Sequence, residues 1–307
     1  MNNEKTNTIL QIDGLSRHFG EQIALDNISL SVNKGQVFGI VGENGAGKTT
    51  LIKHLLGQYI AQQGTVRLFG LDPVEEPEKV LSKIGYLSEE PELPAWMTVK
   101  ELLNYTSAFY PNWDHQYASE LIDIFALQTD KRIRDLSKGQ KARVGLVLAQ
   151  SHKPELLLLD EPSSGLDPNV RRDILSAIIK TVADEGRTVI FSSHLLDEVE
   201  RVSDHLVMLD KGSILLSDSM ENVLSNHHQF IVQTKSNLTA RQLMDTYSEL
   251  GLFKVKQQDN ECTLDFCGER ITIEKRLLES SHEILTVRNM SLNDIFVSRS
   301  STDKWVQ

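Results

Sequence analysis

"QVFGIVGENGAGKTTLIKHLLG", residues 36–57, decides how this chain is read. Its first residues are apolar and β-branched, as a buried strand requires, and "KTTLIKHLLG" (Lys48–Gly57) opens a helix. Between them "GENGAGKTT" (Gly42–Thr50) satisfies G-x-x-x-x-G-K-[ST] at every specified position, in the strand, loop, helix setting of a phosphate loop. Gly42, Gly45 and Gly47 let backbone amides turn inward toward phosphate oxygens, helped by the positive end of the following helix. Lys48 offers a charge to the terminal phosphates, and the Thr49 hydroxyl suits Mg²⁺. Asn44, Ala46 and Thr50 complete the stretch expected to hold the nucleotide. Such a loop serves kinases, GTPases and ATPases alike.

Outward from the loop, strand-like and helix-like stretches alternate through about the first 220 residues, which predicts a layered α/β domain with a largely parallel sheet. "ELLLLDEP" (Glu155–Pro162) and "RTVIFSSH" (Arg187–His194) read as two further buried strands with polar ends. Those ends converge at one sheet edge, where open α/β folds bind ligands. Asp160 there suits Mg²⁺ and Glu161, one residue on, suits a general base for an attacking water. From Thr98 to about His152 the rhythm turns helical, predicting a helical subdomain over about 93–152 beside the sheet. After residue 227 short alternating runs, "QFIVQTK", "LFKVKQQ" and "CTLDFCG", surround one helix, "LTARQLMDTYSEL". The expected division is therefore 1–227 and a small α+β domain over 228–307.

Composition narrows the function classes. The chain has 307 residues and a formal net charge of −11, and neither part is basic, so no cationic field recruits a nucleic-acid backbone. Cys262 and Cys267 lack the paired spacing of a zinc or redox site and read as free thiols of a reducing cytosol. "MNNEKTNTILQIDG" has no apolar signal core, and no run of about 18 apolar residues spans a bilayer. Any work at a membrane must go through a partner.

"RDLSKGQKARVGLVLAQ" (Arg134–Gln150) places a second polar head on an apolar-faced helix. Ser137 and Gln140 form the S-x-x-Q of a capping box. That leaves Gly139 unexplained, since glycine in a first turn costs up to about 1 kcal/mol against alanine. Read as a phosphate site, Gly139 bares amides for an anion and Lys138 adds charge.

The phosphate loop, "LSKGQ", "LLLLDEP", "SSGLD" (Ser163–Asp167) and "FSSH" (Phe191–His194) follow one another as in the ATP-binding cassette ATPases, which the first 220 or so residues closely resemble. The resemblance implies ATP and Mg²⁺ as ligands and an ABC ATPase fold of the P-loop NTPase class. It also implies a trans arrangement, in which Ser137, Lys138, Gly139 and Gln140 bind the γ-phosphate held by a second subunit's phosphate loop. Phe19 in "SRHFGE" then stacks on adenine, Glu161 polarises water, His194 reads the γ-phosphate and Asp167 touches the neighbour. The loop "GYLSEEP" (Gly85–Pro91) puts Glu89 where the family has a glutamine that ligates the metal, with Glu90 beside it as the alternative. Lys138 replaces the commonest residue, glycine, and either contacts phosphate or faces solvent.

Among such ATPases the Lys48 to Asp160 spacing leaves no room for a long coiled-coil insertion, and only one cassette is present. The resemblance is to bacterial ABC-2-type exporter subunits, helped by "FYPNWD" (Phe109–Asp114) and "SLNDIF" (Ser291–Phe296). It implies a peripheral subunit on the cytoplasmic face of the cell membrane, working as a homodimer or with a paralogous ATPase subunit on an integral membrane permease. A soluble ATPase switch acting on ribosome, nucleic acid or protein is the alternative. A small-molecule kinase is disfavoured by LSKGQ and His194. The aromatics of "TSAFYPNW" are expected to pack the helical subdomain, with a partner-facing surface as the other reading. The C-terminal domain is expected to serve dimerisation or regulation.

Overall fold

The computed structural model describes residues 7–183, 186–234, 238–258, 261–280, 282–300 and 305–306. They form two compact units, Met1–Ser217 and Asp218–Gln307.

The first unit opens with the antiparallel pair β1 (Thr8–Phe19) and β2 (Gln22–Asn33), followed by β3 (Val37–Val41) and helix α1 (Lys48–Leu55). Next come β4 (Gln63–Leu68), α2 (Pro77–Leu81) and β5 (Ile84–Leu87). A helical region holds α3 (Val99–Ser107), α4 (His115–Ile124) and α5 (Lys138–Gln150). The chain then alternates β6 (Leu156–Leu159), α6 (Pro168–Ala183), β7 (Thr188–Ser193), α7 (Leu196–Val202), β8 (His205–Asp210) and β9 (Ser213–Ser219).

Two sheets result. One has the order β2-β1-β4, and the other β5-β6-β7-β3-β8-β9, in which β5, β6, β7, β3 and β8 run parallel. The expected strands around residues 36–42, 155–162 and 187–194 are its central members. They are buried on both faces, which is why they read as unbroken apolar runs. Phe38, Ile40, Leu156, Leu158 and Ile190 pack with Leu51, Ile52 and Leu55 of α1 and with Leu10, Ile12 and Leu15 of β1 in one core. On the other face, Gly39 lets α7 approach, since a Cβ there would lie 2.4 Å from Val199.

The helical region starts on a capping box, with the Glu101 amide donating to Thr98 Oγ1 (3.1 Å) and the Thr98 amide to the Glu101 carboxylate (2.8 Å). Asp114 caps α4 and pairs with Lys153. One expectation is corrected here. Of the aromatics of "TSAFYPNW", Phe109 is not core packing: it is 64% exposed and touches the likewise exposed Tyr105 edge-on, whereas Tyr110 and Trp113 are half-buried. Tyr110 stacks on His152 instead, at 4.0 Å between ring centres.

The second unit contains α8 (Met220–Asn226), β10 (His227–Gln233), α9 (Ala240–Tyr247), β11 (Leu252–Gln258), β12 (Glu261–Cys267), α10 (Arg270–Glu279), β13 (Glu283–Asn289), α11 (Leu292–Ser300) and β14 (Trp305–Val306). Its sheet order is β13-β10-β12-β11-β14, around a core of Phe230, Leu243, Tyr247, Leu264 and Phe266. The compact units divide ten residues before the expected boundary at 227/228, because α8 packs on β10 and β13. The three strand-like runs are β10, β11 and β12, but among the described residues after 227 three α-helices, α9, α10 and α11, accompany them rather than one. Helix α10 escapes pattern reading because "RITIEKRLLE" is β-branched at its start and buries only Ile273 and Leu277. Both cysteines are free.

Candidate nucleotide-binding and hydrolytic site

The carboxyl ends of β3, β5, β6 and β7 deliver the phosphate loop, Glu89, Asp160 with Glu161, and His194 to one edge of the parallel sheet. The loop's shape follows from its glycines. Gly47 precedes α1 at φ +110°, a conformation side chains resist, and a Cβ there would meet the Ala24 carbonyl at 2.5 Å. A Cβ on Gly42 would strike the Leu209 carbonyl, also at 2.5 Å. No side chain caps α1, so its first amides are available to an anion. A cleft of about 330 Å³ opens over this turn, lined by Phe19, Asn44, Gly45, Gly47, Lys48, Thr49, Thr50, Glu89 and Glu161. Phe19 stands half exposed with the Arg17 guanidinium 4.7 Å from its ring centre and Tyr59 against it edge-on. Glu89 lines the cleft and Glu90 does not.

Behind the cleft lies a charged chain. The Lys48 ammonium donates to the Gly42 carbonyl (2.7 Å) and pairs with Glu161 Oε1 at 3.0 Å, both side chains being buried. Glu161 Oε2 meets His194 Nδ1 at 2.7 Å and accepts the His194 amide at 3.2 Å. Glu161 itself sits at φ +49°, a strained backbone for a non-glycine residue. Ser192 holds it there: its hydroxyl accepts the Glu161 amide (2.9 Å) and donates to Asp160 Oδ1 (2.7 Å). This serine lay inside a quoted motif, yet nothing in its residue type marks it as the brace between the two carboxylates.

Burial pushes the Asp160 carboxyl above its ordinary range, hydrogen bonds from Ser192 and Thr49 pull it back, and the charges of Glu161 and Glu89 push it up again. A carboxylate so placed gains from a divalent cation, so Thr49 and Asp160, with Glu89 at the cleft wall, fit a Mg²⁺ that also draws ligands from phosphate. Among the described residues no three His, Cys, Asp or Glu side chains gather at metal-ligand spacing.

The other expected residues stand elsewhere. Ser137–Gln140 and Asp167 line none of this cleft. The capping box at the head of α5 is present, with the Gln140 amide donating to Ser137 Oγ (3.2 Å) and the Ser137 amide to Gln140 Oε1 (3.0 Å). Gly139 also has a packing reason: a Cβ there would come within 2.8 Å of Val170, so its absence lets α5 approach α6. Lys138 is exposed, with its ammonium beside Gly165 in the turn after Glu161. Asp167 caps α6 by accepting the amides of Asn169 (3.1 Å) and Val170 (3.2 Å).

Residues 25–164 match the family described as ABC transporter. The chain is 29% identical over 295 residues to the bacitracin transport ATP-binding protein BcrA of Bacillus licheniformis, a match covering 94% of this chain and 96% of that protein. It is 31% identical over 299 residues to the ABC transporter ATP-binding protein YhaQ of Bacillus subtilis, covering 95% and 98% respectively. A solved ATP binding subunit of an ABC transporter superposes with a TM-score of 0.65 at 28% identity, over 70% of this chain and 92% of that one.

Proposed function

The chain belongs to the ABC transporter ATP-binding proteins and is an ATPase; from that premise we propose that two copies, or one copy and a paralogue, close around two ATP molecules and drive export through a separate membrane permease. The observation that carries this reading is the division of the site. Phosphate loop, Glu89, Glu161 and Phe19 share one cleft and Asp160 and His194 are tied to Glu161 behind it, whereas the capped head of α5 and Asp167 neither line the cleft nor hydrogen-bond to its residues. Both groups are needed for the chemistry the motifs specify, and a second copy brings them together.

In this reading Phe19 stacks the base and the loop amides hold the phosphates. A γ-phosphate entering over α1 competes for Lys48 and draws it off Glu161 Oε1. That oxygen then accepts the proton of the attacking water, while His194 keeps the other oxygen in place and meets the phosphate. Mg²⁺ held by Thr49 and Asp160, with Glu89 beside them, would neutralise charge on the phosphate oxygens. Hydrolysis reopens the dimer, and the loop bearing Glu89 passes the motion to the permease.

The exposed pair Tyr105 and Phe109 supports a partner-facing surface on the helical region. No helix among the described residues is long and apolar enough to cross a membrane; in this reading the chain is a peripheral subunit on the cytoplasmic face. A relative named for bacitracin transport supports transport over a soluble switch. Purification of the tagged chain under native conditions tests the choice. A multi-span membrane protein in the eluate is expected; ribosomes or DNA in its place would overturn the reading.

A further inference from the structure

The hydrolytic cluster rests on a second layer that centres on Glu198, in the first turn of α7. Its carboxylate is buried, with the residue only 5% exposed, and a buried charge is costly unless paired and hydrogen-bonded. Three segments supply its partners. Oε2 accepts the Ser163 hydroxyl at 2.5 Å and lies 3.4 Å from the Ser193 hydroxyl. Oε1 meets Arg171 Nε of α6 at 3.0 Å, a contact of charges rather than an aligned hydrogen bond.

Each partner leads to a functional group. Ser193 directly precedes His194 and its hydroxyl also accepts the Leu195 amide at 3.0 Å, bracketing the histidine. Ser163 starts the turn that ends at Asp167. Arg171 reaches the Leu166 carbonyl of that turn (3.5 Å) and donates its own amide to the Asp167 carbonyl (3.0 Å). One oxygen therefore joins the residue before His194 to the turn after Glu161, and the other joins both to α6.

We propose that Glu198 is a positioning residue: its carboxylate fixes His194 and the Ser163–Asp167 turn to each other, so that the turn's contact with a second copy is felt at the histidine that holds Glu161. The inference rests on reading Glu161 and His194 as the hydrolytic centre. Glu198→Gln keeps the side chain's volume and removes the charge shared by Arg171 and the two serines.

The test is steady-state ATPase kinetics of the full chain, with urea unfolding to establish that each variant is folded. In folded Glu198→Gln kcat should fall by about 10-fold or more, as misplacement of a catalytic group does. KM and ATP affinity should stay within about twofold, because the loop and Phe19 are untouched; purely structural damage would move both. Should Glu198→Gln not fold, Ser163→Ala, Ser193→Ala and their double variant decide the matter. Both hydroxyls act through one oxygen, so the double variant should lose no more kcat than the worse single one. Losses that multiply, or no loss in either single variant, would overturn the proposal, as would a folded Glu198→Gln with wild-type kcat. Glu161→Gln, run alongside, separates the two ideas. If it turns over normally the reading of the centre fails, and if it is inactive while Glu198→Gln is normal, only the role of Glu198 fails.

Discussion

Glu161 is held by two opposite partners, Lys48 on one oxygen and His194 on the other, and by a backbone that Ser192 keeps at positive φ. Substituting Glu161→Gln leaves the loop, Thr49 and Asp160 in place but removes the proton acceptor. Turnover should drop by about 10²-fold to 10⁴-fold while ATP still binds and the dimer lives longer. Rapid-quench turnover together with gel filtration in ATP checks this, and near-normal hydrolysis would show that the base lies elsewhere. Lys48→Ala should instead weaken nucleotide binding, read by fluorescent-ATP titration; unchanged affinity would remove Lys48 from the phosphate site. The types and order of these residues were legible in the sequence, because phosphate and water chemistry demand a lysine, a hydroxyl and two carboxylates at strand ends. The pairing of Lys48 with Glu161 and the brace at Ser192 were not, since both arise from strands brought together only by the sheet. Glu198 was likewise invisible: in "SSHLLDEVE" a helical glutamate looks solvent-facing until α6 and the turn are packed over it.

Helix α5 shows how one element can satisfy two demands. Its head is a capping box, and its glycine is where α5 meets α6 at Val170. Gly139→Ala should therefore lower stability by about 1–3 kcal/mol through overpacking, and Val170→Ala in the same chain should recover part of the loss. Urea unfolding of the single and the double variant beside wild type checks it; a Gly139→Ala chain as stable as wild type would leave the glycine its role in baring amides. Elements with an unbroken apolar run, such as β3, β6 and β7, were legible because strands buried on both faces have no polar period to confuse. Helix α10 was not, as its burial of two residues leaves no stripe. The aromatics of the turn after α3 were read as core because large apolar side chains usually are, whereas Phe109 stands in solvent.

At the scale of the whole molecule the two units answer to different physics. In the second, His227 donates from Nδ1 to the Val223 carbonyl (2.8 Å) and faces Arg299 with Nε2 (2.8 Å), so its neutral ring is built in. Burial, and then the Arg299 charge, lowers its pKa to about 4 from 6.5. The folded unit thus refuses a proton that the unfolded chain accepts. Its stability is full above about pH 6.5 and falls as the pH drops toward 4, by about 3 kcal/mol from this residue. Unfolding midpoints at pH 7 and pH 5 should show the decline, and His227→Gln should remove much of it; an unchanged slope would contradict the assignment. The larger claim concerns two copies. Sequence spacing places the α5 head far along the chain from the phosphate loop, and the fold leaves it outside that cleft. The most direct test mixes two chains, one with Ser137→Ala and one with Lys48→Ala, each expected to be nearly inactive alone. If the head of one copy completes the cleft of the other, mixed dimers hold one intact site, so ATPase activity should appear on mixing and fade on dilution. A mixture no more active than the sum of its parts would contradict the account.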